Sequence, residues 1–124
     1  MAEGIVKKKS FEFALMVIEV YKQLQSEGEY VISKQLLRSG TSIGANVEEA
    51  TAGQSRRDFY AKMAIAAKEA RETKYWLRLL QESSLTKIDV NQLLDRVEEL
   101  IRLLTAIVKT ISFRSNSKLN TQNS

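Results

Sequence analysis

Cysteine, histidine and proline are all absent from these 124 residues. Without cysteine there is no disulfide, no thiolate nucleophile and no zinc site of the cysteine type. Without histidine, the commonest catalytic acid or base and the commonest metal ligand are both missing. The lack of proline favours long uninterrupted helices over loops and edge strands. No apolar run reaches the roughly 18 residues that a membrane span needs. Met1 to Lys9 lacks the apolar core of a secretory signal, so the expected setting is cytoplasmic, with no membrane contact. A chain of this length makes one domain with a single core.

The net charge of +4 is unevenly placed. Lys7, Lys8 and Lys9 outweigh Glu3 at one end, and Arg114 and Lys118 meet no acid at the other, while acids and bases balance between them. A basic chain points towards nucleic acid, but here the excess falls in two expected tails, 1–9 and 114–124. The second of these is rich in Ser, Asn and Thr and is expected to be disordered.

Apolar spacing predicts an all-α fold, a four-helix bundle over 10–113, with helices at about 10–26, 34–52, 56–83 and 90–113. The first begins at Ser10 as N-cap and is apolar almost all round: Phe13, Val17, Val20 and Leu24 on one side, Phe11, Leu15 and Ile18 beyond them. A stripe so wide exceeds what one bundle face buries, and suggests a second contact surface. The second helix ends at Gly53, a suitable C-terminal glycine. In the third, Ser55 and Asp58 have the spacing of a capping box, and Phe59, Met63, Ala66, Ala70, Thr73, Leu77 and Leu80 step by three or four. In the fourth, Val90, Val97, Leu104 and Ile111 recur every seven residues with Leu93, Leu100 and Ile107 between them, the packing rule of near-parallel helices. Short connections between them imply an up-down-up-down antiparallel topology.

Gln35 to Ala50 carries two stripes side by side. Leu36, Gly40, Ile43, Val47 and Ala50 form a small apolar one; Ser39, Ser42, Asn46 and Glu49 form a polar one. Gly40 and Gly44 make G-x-x-x-G, and each glycine weakens a helix by roughly 1 kcal/mol against alanine. Such a pair is tolerated where another backbone must come very close.

Gln35-Leu36-Leu37-Arg38 and Thr41 to Glu49, followed by Asp58-Phe59 and Ile65-Ala66 through Glu72-Thr73-Lys74-Tyr75-Trp76-Leu77, resemble a four-helix-bundle family encoded by intervening sequences of bacterial 23S rRNA genes. The likeness covers about residues 10 to 112. It departs at Ala50, Lys68 and Glu69, where the family often has Gly, Gly and Ser. The resemblance implies a homopentameric ring. The accessory protein of diversity-generating retroelements, which binds nucleic acid and a reverse transcriptase, looks like a cousin of that family. No biochemical activity follows from the likeness itself.

Two constellations remain. Ser39, Ser42, Asn46 and Glu49, with Glu72 and Thr73 on the third helix as their partners, read either as a ligand site or as a buried hydrogen-bond network fixing helix register; the second reading is preferred. Arg57, Lys68, Arg71, Lys74 and Arg78, interleaved with Tyr60 and Tyr75, suit phosphate contact with occasional stacking, against the bland reading of a solvated charged face. Trp76, with Ile65 and Leu79, reads as an aromatic anchor rather than a platform for a base. Glu69 and Glu72 without any histidine do not make the di-metal site some bundles host, so neither metal nor cofactor is expected. The preferred function is a non-enzymatic homo-oligomer that contacts RNA or DNA. The alternative is a protein-protein interaction scaffold with no nucleic-acid role.

Overall fold

Four amphipathic segments become α1 (Ala2–Ser26), α2 (Val31–Thr51), α3 (Arg56–Glu82) and α4 (Asn91–Asn123). The computed structural model describes residues 2–53 and 55–111 in full and the backbone alone of 112–123; that backbone continues α4 through the expected tail as far as Asn123, and its side chains lie outside the described residues. Cross-helix contacts fix the directions. Lys7 pairs with Glu48 at 3.5 Å and Gln25 donates to Ser33 at 3.0 Å, so α1 and α2 run oppositely. Arg38 with Glu72, and Lys62 with Glu49, do the same for α2 and α3. Lys74 with Glu98 and Gln81 with Asn91 do it for α3 and α4. The result is an up-down-up-down bundle, closed where α4 meets α1 at Lys9 and Glu99, the thinnest of the four seams. No described helix is long and apolar enough to cross a membrane.

The heptad row is buried as its spacing requires: Val90, Leu93, Val97, Leu100, Leu104 and Ile107 all face the core, opposite Met63, Ala66, Ala70, Leu77 and Leu80 of α3. Ser55 caps α3 by accepting from the Asp58 backbone N–H at 3.0 Å.

Helix starts depart from the spacing in two places. α1 begins at Ala2 rather than Ser10, so residues 2–9 are about two docked helical turns and not a tail. Val6 explains it: one turn before Ser10 and two before Phe13, it extends the apolar stripe and is fully buried. Nothing in 2–9 stops a helix, and the lysines reach across it to Glu48 and Glu99. α2 begins at Val31 rather than after Ser33, because Glu29 supplies the cap. Its carboxylate accepts from the backbone N–H groups of Val31, Ile32 and Ser33 at 3.2, 2.9 and 2.7 Å. Just before it, Gly28 (φ +85°) ends α1: Gly28 N–H bonds to Gln25 O and Glu29 N–H to Leu24 O, at 3.0 and 2.9 Å. Two adjacent residues thus close one helix and open the next. Gly53 stands just past Ala52, the C-cap of α2, as expected of its terminal glycine, and its N–H bonds to Ala50 O at 3.2 Å without a left-handed φ.

Gly40 and Gly44 face α1 at close range. A Cβ on Gly40 would lie 2.9 Å from Val17 Cγ2 and 3.0 Å from Cγ1; one on Gly44 would lie 3.3 Å from the Ser10 carbonyl oxygen. Val17 is fully buried and, being β-branched, has little rotamer freedom with which to yield.

Gly40→Ala should therefore destabilise the fold by about 1 kcal/mol in urea, the overpacking cost of about 1–3 kcal/mol exceeding the helix gain of about 1. Adding Val17→Ala should remove part of that penalty, a non-additive cycle. A second expectation concerns pH. Partial burial works to raise the Glu29 pKa, but the hydrogen bonds from Ile32, Ser33 and Val31 outweigh it and hold the carboxyl below its ordinary value. A lowered folded pKa means the stabilisation is complete above the unfolded value and is lost as pH falls through the folded one. Glu29→Ala should cost about 1 kcal/mol at neutral pH, and the difference from wild type should shrink below about pH 4.

Candidate nucleic-acid interface

One side of α3 is turned away from the core along its whole length. Arg57, Tyr60, Lys68, Arg71, Tyr75 and Arg78 stand exposed on it, and Lys74 is half-buried at the α4 edge. Lys74 lies 3.5 Å from Glu98 and Arg78 lies 3.4 Å from Glu82. Arg57, Lys68 and Arg71 make no ion pair among the described residues. The helical spacing therefore brings all the expected cations and both tyrosines onto one face, with three cations left to solvent. Towards its C-terminal half the face is indented. Arg71, Lys74, Tyr75, Arg78 and Ile101 line a recess of about 330 Å³, and Tyr75, Arg78, Leu79, Glu82 and Ser83 line another of about 310 Å³.

The expected polar network is divided into three separate contacts along the α2–α3 seam. Thr73 donates to Ser39 at 2.9 Å, and both are fully buried. Ser39 donates its own proton to the Gln35 carbonyl at 3.0 Å, which leaves its oxygen free to accept, and Thr73 shares its single proton between Ser39 and the Glu69 carbonyl 2.7 Å away. Glu49 lies 2.8 Å from Lys62, near the surface. The Glu49 pairing, with the weak coulombic help of Asp58, raises the Lys62 pKa. Asn46 bonds only within its own helix, to the Ser42 carbonyl and hydroxyl at 2.8 and 3.1 Å. Ser42 and Asn46 thus do not join Glu72 and Thr73.

Glu72 belongs instead to a cluster around Arg38. The guanidinium contacts Glu72 and lies 3.3 Å from Glu69, whose side chain is only 12% exposed. Trp76 donates its indole N–H to Glu72 at 2.9 Å and packs against the core, the anchoring role its position suggests. Arg38 has no place in either constellation read from the sequence. The signal was there: Arg38 sits one turn before Ser42 on the polar side of its helix, and two carboxylates on the facing helix need a cation once they are partly withdrawn from water. Every buried side-chain nitrogen and oxygen among the described residues has a hydrogen-bond partner, so the buried part of this seam holds no orphaned polar group. Among the described residues no cluster of three acidic side chains gathers as for a metal ion.

The family model for the 23S rRNA-intervening sequence protein matches residues 2–106. A crystal structure from Bacteroides thetaiotaomicron, described as a protein with unknown function from the S23 ribosomal protein family, shares 47% identity and superposes with a TM-score of 0.81. The match covers 88% of this chain and 99% of that one. No curated protein matches.

Proposed function

The chain belongs to the 23S rRNA-intervening sequence protein family, and from that premise we propose a non-enzymatic bundle that assembles with copies of itself and binds nucleic acid through the outward side of α3. The observation that carries the binding is the row of exposed cations without ion partners, Arg57, Lys68 and Arg71, in line with Tyr60 and Tyr75. Phosphate contacts favour exposed cations with no carboxylate of their own to leave, and among the described residues these three have none. Lys74 and Arg78 are poorer contributors, because Glu98 and Glu82 compete for them.

Assembly is supported by a different surface. Phe11, Leu15 and Ile18, at 60, 51 and 37% exposure, form an apolar row on the side of α1 opposite Phe13, Val17 and Leu24. An unbroken row of this kind is a normal mark of a protein contact. The number five comes from the resemblance alone. A ring would repeat the α3 face around the assembly, so that weak individual contacts add. The non-enzymatic reading is supported by the lack of histidine and cysteine and by the engagement of Glu69 and Glu72 by Arg38, which occupies the two carboxylates of that seam.

Binding should be tolerant of sequence and should fall steeply with salt. Lys68→Glu with Arg71→Glu should weaken it and flatten the salt slope while leaving helix content unchanged, since both side chains are exposed. Fluorescence anisotropy across a salt series reads both quantities. Absence of binding by the wild-type oligomer at about 50 mM salt, where phosphate contacts are strongest, would leave the scaffold reading in its place.

A further inference from the structure

Tyr75 is the point at which the α3 face stops being a plain field of charge. It is 55% exposed and lines both recesses, with Arg78 as the other shared wall. Arg71 stands four residues before it and Arg78 three after, so a cation flanks the ring one turn away in each direction, about 10 Å apart along the axis. Ile101 of α4 gives the larger recess an apolar wall.

The ring is also held. Its centroid lies 5.2 Å from that of Trp76 with the planes at 68°, an edge-on contact. Trp76 packs on the core and bonds to Glu72, which Arg38 holds from α2. A run of four side chains therefore ties the orientation of an exposed tyrosine to the bundle interior. A solvated tyrosine with no task needs no such support, and a stacking surface gains from it, because a fixed ring loses little freedom when a base lies against it.

We propose that Tyr75 and the two recesses beside it receive unpaired bases, with Arg71 and Arg78 on the flanking phosphates, so that the ligand of this face is a single strand or an unpaired loop rather than a duplex. The inference rests on the nucleic-acid reading above and narrows it. Bases inside a duplex are stacked on one another and offer this face only phosphates, whereas a single strand can turn a base onto an aromatic ring. A recess of about 330 Å³ bounded by cations and one apolar side chain suits a base with its phosphates at the rim. Glu82 lines the smaller recess and pairs with Arg78; a bound phosphate draws Arg78 from it.

The test compares single-stranded oligouridylate RNA of about 12 nucleotides, within the span of one single-strand surface, with an RNA duplex of equal length, on the intact oligomer. The wild type should bind the single strand more tightly. Tyr75→Ala should weaken single-strand binding by about 5- to 150-fold, the range that base–aromatic stacking supplies, and leave duplex binding unchanged; Tyr75→Phe should keep both. Trp76, the only tryptophan, provides a readout that needs no variant: its fluorescence should be quenched by the single strand and not by the duplex. Equal affinity for the two RNAs, no quenching, or a Tyr75→Ala variant that binds as wild type would overturn the inference. If Lys68→Glu with Arg71→Glu still weakened binding in that case, the phosphate-binding reading would stand without it. No binding of either RNA at about 50 mM salt would remove both.

Discussion

The close approach of α1 to α2 at Gly40 and Gly44 is the contact on which the other three seams depend. With Val17 Cγ2 and the Ser10 carbonyl occupying the space where side chains would stand, α1 seats its narrow core stripe of Val6, Phe13, Val17 and Leu24 deep against α2. Two glycines each cost a helix roughly 1 kcal/mol, which is recovered through van der Waals contact along the seam. The seating has a consequence on the far side of α1. Because the buried stripe is satisfied by α2 and, less extensively, α4, Phe11, Leu15 and Ile18 are left facing solvent. Small residues recur on the next seam, where Ser39 and Thr73 meet at 2.9 Å. That hydroxyl pair, the Arg38 cluster and Lys62–Glu49 hold α3 along α2, and α3 in turn carries the cations and tyrosines to the outside.

What could be read in the chain was whatever repeats. Val90, Val97 and Leu104 at sevens, and Met63, Ala66, Ala70, Thr73, Leu77 and Leu80 at threes and fours, define buried faces without reference to any partner, and those faces are buried. The Ser55 cap was legible because its partner, the Asp58 N–H, is three residues away. Interactions that depend on the register between helices were not. Arg38 lies between Glu69 and Glu72, more than thirty residues distant in the chain, and periodicity contains nothing about how far two helices slide past each other. The same reason separates Ser42 and Asn46 from Thr73: all lie on the right sides of their helices, but only Ser39 comes level with the threonine hydroxyl. The start of α1 was missed for another reason. Lys7, Lys8 and Lys9 dominate residues 2–9, and a lone Val6 among them gives no period until the core it joins is known.

The surface divides into regions with different physical capacities. On the α2–α3 seam every buried side-chain nitrogen and oxygen among the described residues is paired, and that polarity ties the two helices together. The outward side of α3 has the opposite character: Arg57, Lys68 and Arg71 are exposed and make no ion pair among the described residues, and Tyr75 is braced from within. On α1 the exposed row is apolar. A single copy of the α3 face brings three unpaired cations, a modest charge set whose affinity would be strongly reduced by salt. Repetition of that face by assembly is what would turn it into effective binding, so the proposed function stands on α1 as much as on α3.

Assembly through α1 is accordingly the claim to test first, by light scattering on the wild type and on Leu15→Glu at micromolar concentration. Leu15 is half exposed, so the substitution should leave the bundle folded while placing a charge in the apolar row. The account predicts a wild-type mass that is a multiple of the 14.1 kDa chain, five-fold if the resemblance extends to subunit number, and a Leu15→Glu mass of one chain with helix content retained. A wild type that scatters as a single chain would contradict it, as would a Leu15→Glu variant that keeps the wild-type mass.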